Sequence, residues 1–119
     1  MPLRTKRAYE PASPSDGKRY LVDGLWPRGV TKEKLAIDAW LKEIAPSHEL
    51  RKWFGHDPSK YPEFRRRFLE ELDPHGEILD RLAEEARAGT VTLVYGARDG
   101  MHCNAGVLQE LLSKRLESR

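Results

Sequence analysis

Apolar positions fall into two kinds of pattern, short compact runs and long stripes at helical spacing. Leu3 to Tyr9 reads as a short first strand. The segment PASPSDG, Pro11 to Gly17, is a loop, because proline, serine, aspartate and glycine favour turns. YLVD, Tyr20 to Asp23, is a compact apolar run ending in an acid and suits a buried strand. Trp26-Pro27-Arg28-Gly29 follows as a rigid turn, with one backbone angle fixed by Pro27 and a left-handed conformation open to Gly29.

The middle of the chain reads as helical. Ile37, Trp40, Leu41 and Ile44 recur on one helical face, and Pro46 stops that helix. Ser47 is the expected N-cap of a short second helix running through Trp53 and Phe54 and ended by Gly55. Tyr61, Phe64, Phe68 and Leu72 form a further stripe. Asp73-Pro74 predicts the next helix start, with an acidic cap and a proline in the first turn. Ile78, Leu79, Leu82 and Ala86 continue it to Gly89. VTLVY, Val91 to Tyr95, is the clearest strand, being β-branched and aromatic. Gly96 to Asn104 is a loop, and a last helix carries Val107, Leu108, Leu111, Leu112 and Leu116 on its inner side.

A long helical block between YLVD and VTLVY requires a crossover connection, which favours parallel pairing. The predicted fold is a single α/β domain spanning residues 1–119, with a small, mainly parallel sheet and helices packed against it. Ligands of open parallel sheets bind at the carboxyl ends of the strands. That rule points to two loops, Asp23 to Gly29 and Gly96 to Asn104.

Composition narrows the function classes. The chain is 39% apolar and 34% charged, a globular balance rather than a disordered one. A net charge of +2 is too modest for a protein that coats nucleic acid. The single cysteine, Cys103, cannot form an intrachain disulfide, which fits a reducing compartment. No apolar run has the length of a membrane span, and Met1 to Glu10 does not read as a signal peptide. A cytoplasmic location and no membrane association are therefore expected.

Several groups are candidates for chemistry. Lys6, Arg7, Arg19, Arg28 and Arg98 lie at or near the predicted strand ends. Arginine holds carboxylate or phosphate through paired hydrogen bonds, and Arg28 is the leading candidate because its turn is rigid. The last helix begins near Asn104, where free N–H groups favour an anion. The simpler reading makes these arginines solvated charges or partners of Asp16, Asp23 and Asp99. Cys103, next to His102 at a helix start, is a candidate nucleophile; the simpler reading is a small packed residue. A cysteine-dependent phosphatase needs an arginine six positions later, and that position is Gln109. Asp23 and Asp99 are acid-base candidates whose pairing depends on an unknown separation.

The remaining signals are weaker. His48 and His56 bracket Trp53-Phe54 and are candidates to line one pocket with Ser47 and Arg51, but no histidine or cysteine spacing suits a metal. No phosphate-cradling glycine motif is present, so a nucleotide-binding reading has no motif support and the cofactor is left open. Lys60 with Arg65, Arg66 and Arg67 forms a basic run that serves a nucleic-acid reading, though Glu63, Glu70 and Glu71 interrupt it.

The stretches KRAYEPASPSDGKRYLVDGLWPRGVTKEKL, IAPSHELRKWFGHDP, TLVYGARD and NAGVL together resemble the YeaO-like proteins, part of the four-eight-eight family of domains of unknown function. The resemblance covers nearly the whole chain, and the LVD-x-LWPRG block is long and unusual. It implies an α/β fold and a bacterial cytoplasmic protein, and it brings no established activity. Two departures stand out. The resemblance implies an arginine where this chain has Gly24, so a ligand contact is either lost or supplied from elsewhere. Near Cys103 and Asn104 it implies an Asn-His or Asn-Asn pair, whereas His102-Cys103 is similar to more distant members.

The reading that follows is a pocket at the strand ends for a small anionic molecule. Arg28 would bind the anion with help from Arg19, Arg98 and Asn104, Trp26 would form the wall, and Asp23, Asp99 or Cys103 would serve any catalysis. The alternatives are a nucleic-acid or regulatory module using the basic helix, and an interaction protein using the surface around Trp53 and Phe54. The oligomeric state is left open.

Overall fold

The computed structural model describes residues 2–117. In chain order these form β1 (Leu3–Arg7), β2 (Lys18–Leu21), α1 (Lys32–Leu35), β3 (Ala39–Trp40), α2 (His48–Phe54), α3 (Tyr61–Leu72), α4 (Gly76–Ala88), β4 (Val91–Tyr95) and α5 (Asn104–Glu117), with short 3₁₀ turns between some of them. The strands make one sheet in the order β1-β4-β2-β3, and every pairing is parallel. The fold is α/β, as the crossover argument requires.

β4 lies inside the sheet and all five of its residues are buried, which suits a strand covered on both faces. Its side chains alternate. Val91, Leu93 and Tyr95 join Leu3, Tyr20 and Val22 in the larger core shared with α2 to α5. Val94 and Leu21 face the other side, with Ala8 and Leu35, under Trp26, Val30, Ile37 and Trp40. Phe64, Phe68, Leu72, Leu79 and Leu108 are almost wholly buried, each worth about 1.5–3 kcal/mol of transfer free energy.

The caps read from sequence form where the chain has room for them. The Ser47 hydroxyl accepts from the Leu50 N–H at 3.1 Å and starts α2. Gly55 ends that helix in the left-handed region at φ 54°. Gly89 closes α4 through its N–H to the Glu85 carbonyl.

Two expectations fail. Residues 37–44 are not a helix: α1 is one turn long and Ala36 ends it at φ 48°. The chain then runs beside β2, where the Asp38 N–H donates to the Arg19 carbonyl and the Leu41 N–H to the Leu21 carbonyl. The Asp38 carboxylate accepts from the Arg19 N–H at 2.8 Å. The open edge of β2 supplies hydrogen bonds that a helix would forgo. The apolar residues split accordingly, Ile37 and Trp40 to one face of the sheet and Leu41 and Ile44 to the other. Nor does Asp73 cap α4. Residues 73–75 continue from α3 as a 3₁₀ turn, and no side chain caps the start of α4.

Candidate functional site

The two loops after β2 and β4 meet. Asp23 follows β2, and one of its carboxylate oxygens accepts from the Gly96 N–H, just after β4, at 2.8 Å. The other accepts from Asn104 Nδ2 at the start of α5, at 3.1 Å, and the same amide donates to the Val22 carbonyl at 3.0 Å. Trp40 Nε1 fixes the Asp23 carbonyl at 2.6 Å. These bonds converge because parallel strands end on one side and their following loops share that edge.

A cavity of about 200 Å³ opens at this edge. Asp23, Trp26, Gly96, Cys103 and Asn104 line one side of it. Arg51, Phe54, His56 and Phe64 line the other, carried by α2, the turn after it and α3. Trp26 is held edge-on against Trp40, with ring centroids 5.5 Å apart, and its indole N–H donates to the Val30 carbonyl at 2.7 Å. Gly29 supplies the φ of 79° that the Trp26–Gly29 turn needs. His56 also sits in the left-handed region, at φ 58°, directly after Gly55. A non-glycine residue there carries strain, and such strain gathers at functional sites.

Burial dominates the electrostatics. It pushes the Asp23 carboxyl above its ordinary value, although the bonds from Gly96 and Asn104 and the charges of His56 and Arg51 pull the other way. Burial likewise pushes the Cys103 thiol up, against the N–H groups of Gly106 and Ala105. The helix start acts on Cys103 in the expected direction but is outweighed, so the expected low thiol pKa is not found. Cys103 is 2% exposed, and its Sγ lies 3.6 Å from the Gly100 carbonyl.

The arginines predicted to converge do not. Arg19 is 3% exposed on the opposite face of β2, with Nη1 2.7 Å from Asp16 Oδ2 and Nε and Nη2 on the Leu35 carbonyl. Strand alternation sends it there while Tyr20 and Val22 face the larger core. Arg28 and Arg98 are exposed and lie outside the cavity lining; the carbonyl of Arg28, not its guanidinium, is engaged, by the Tyr9 hydroxyl at 3.1 Å. Lys6 binds Asp16, and Arg7 donates to the Ala97 carbonyl at 2.9 Å. Asp99 also lies outside the lining: its carboxylate takes His102 Nδ1 at 2.7 Å and the N–H groups of Met101 and His102, which lowers its pKa. Asp23, Trp26, Cys103 and Asn104 are thus brought together, while Arg19, Arg28, Arg98 and Asp99 are not.

The basic side chains at the cavity are Arg51 and His56. Sequence reasoning grouped them with Ser47 and His48 rather than with the strand ends. In the structure Ser47 lines a separate groove with Trp53, and His48 Nδ1 lies 3.0 Å from Arg51 Nη2.

A family model described as the inactive DUF488-N3 subclade matches residues 2–119. The chain belongs to this family. It is 46% identical to the uncharacterized protein YeaO of Escherichia coli (strain K12) over 112 residues, which is 94% of this chain and 97% of that protein. It is 38% identical to an uncharacterized protein of Mycobacterium tuberculosis (strain ATCC 25618 / H37Rv) over 113 residues, 95% of each chain. No solved structure matches it significantly.

In this member of the inactive DUF488-N3 subclade the basic run is internally paired. Arg65 binds Glu110 of α5, and Arg66 and Arg67 both bind Glu63, whose carboxyl is pulled down to about 2 by their hydrogen bonds. Arg67 and Lys60 also lie over the Trp53 ring. Phe54 is buried and stacks on Phe64 with centroids 4.2 Å apart, so it is core rather than an exposed contact surface. Among the described residues no group of three histidine, cysteine, aspartate or glutamate side chains is placed to hold a metal ion, and no helix is long and apolar enough to cross a membrane.

Proposed function

We propose that this protein is a non-catalytic binding protein for a small, flat molecule carrying one anionic group, held at the carboxyl ends of β2 and β4. The observation that carries the reading is one cavity with an aromatic wall of Trp26, Phe54 and Phe64, with the Arg51 guanidinium and the His56 imidazole in its lining. A cavity of about 150 Å³ takes a benzene ring. The 200 Å³ here therefore suits one ring with a carboxylate attached. Arg51 would take the carboxylate in paired hydrogen bonds, and the rings would stack or meet edge-on with the aromatic wall. Asp23 and Asn104 would receive any polar substituent at the floor.

Two observations support binding over catalysis. The family is described as inactive. The sulfur on the cavity wall has its thiol form favoured by burial, the reverse of what nucleophilic attack requires.

Benzoate is the test probe, titrated by calorimetry and by NMR of the Trp26 indole N–H. Arg51→Ala should weaken benzoate about 10- to 100-fold, the value of a charged hydrogen bond of roughly 1.5–3 kcal/mol, with little change in unfolding temperature. Unaltered benzoate affinity in Arg51→Ala would remove the reading.

A further inference from the structure

Gly24 lies between Asp23 and Leu25 in the cavity lining. Nothing in the backbone demands glycine there, since its φ is outside the left-handed region that Gly17, Gly29 and Gly55 occupy. Nor does close packing demand it. A Cβ built on Gly24 would meet Arg51 Nη1 at 3.7 Å, the Ala45 Cβ at 3.9 Å and the Pro46 carbonyl oxygen at 4.0 Å, all ordinary contacts. Gly17 shows the opposite case: a Cβ there would lie 2.1 Å from the Thr90 carbonyl oxygen, at a φ of 64°. Gly17 is required by the fold, and Gly24 is not.

What the missing side chain leaves behind is space beside the Arg51 guanidinium. The nearest neighbours of a Cβ at this position belong to Arg51, Ala45 and Pro46, and both Arg51 and Pro46 line the cavity. Atoms beyond Cβ would compete for the space that Arg51 and Pro46 line. We infer that Gly24 is the specificity-determining residue of this site, admitting a ring-sized anion where a side chain as large as leucine would restrict the pocket to an anion the size of acetate. This rests on the binding reading above and adds to it which part of the pocket sets ligand size.

The test compares Gly24→Ala and Gly24→Leu with wild type, using benzoate and acetate as probes and thermal unfolding as a control. Gly24→Ala should melt no lower than wild type, because alanine fits the backbone and narrows the unfolded ensemble. Gly24→Leu should lose benzoate binding at least tenfold and bind acetate within about threefold of wild type. Equal benzoate affinity in wild type and Gly24→Leu would overturn the size-setting role while leaving the binding reading intact. A Gly24→Ala protein that melts well below wild type would make Gly24 a structural residue and overturn the inference. Wild-type protein that binds neither probe overturns the binding reading, and this inference with it.

Discussion

The side-chain amide of Asn104 donates to the Asp23 carboxylate at 3.1 Å, joining residues 81 positions apart in sequence. With the Gly96 N–H on the other oxygen, it ties the loop after β2 to the loop after β4 and to the first turn of α5. The floor of the cavity is built from this one carboxylate and its two donors.

Asp23 makes stability depend on pH in a definite direction. Its folded pKa is raised above the ordinary 3.8, chiefly by burial. Between the unfolded and folded values the native state holds more protons, so stability falls as pH rises through that window and is level above it. Asn104→Ala removes a donor that favours the charged form, so the upper end of the window moves to higher pH. It also leaves the Val22 carbonyl short of a partner, at a cost of about 1–3 kcal/mol. Urea unfolding across pH, with a carboxyl carbon NMR titration of Asp23, measures both. A titration of Asp23 at or below the ordinary carboxylate value, in either protein, would contradict this account.

Asp16 acts with the opposite sign. Its side chain is buried, which alone would raise its pKa, but the Ser13 N–H, Lys6 and Arg19 together hold it lowered. Its stabilising contribution is complete above the unfolded value of 3.8 and is lost as pH falls through the lower folded pKa. Asp16→Ala strands the buried Arg19 charge and should cost about 3–5 kcal/mol. Asp16→Ala combined with Arg19→Met should cost less than Asp16→Ala alone, as chemical denaturation of the two proteins would show. A double variant weaker than the single one would mean that the pair is not the source of the loss.

His56 holds a left-handed conformation that glycine adopts freely. His56→Gly should therefore raise stability by roughly 1 kcal/mol while removing an imidazole from the cavity. The expected signature is a higher unfolding temperature together with weaker benzoate binding. A variant that melts lower than wild type would show that the ring contributes more to packing, through its contact with Phe54 at 6.1 Å, than the backbone loses in strain.

Much of the fold was legible in local pattern. VTLVY, the Ser47 cap, the Gly55 and Gly89 stops and the stripe from Tyr61 to Leu72 all appear as read, because each depends on residues within a few positions of one another. Ile37 to Ile44 misled because helical spacing by itself does not exclude a two-residue edge strand, Ala39–Trp40, followed by a 3₁₀ turn at Lys42–Ile44. The edge of β2 decided between them, and no local pattern reports an edge.

The candidate site divides in the same way. Strand-end logic brought Asp23, Trp26, Cys103 and Asn104 to one cavity from sequence. It also nominated Arg19, whose alternate position on β2 turns it to the far face and into the grip of Asp16. The sequence by itself determined the parallel α/β order and the edge at which the two loops meet, because strand direction and hydrophobic period are local properties. Only the tertiary structure decided which basic side chains face that edge. Arg51 arrives there from α2 and His56 from the turn that follows it, and the direction of a side chain is set by the neighbours it packs against.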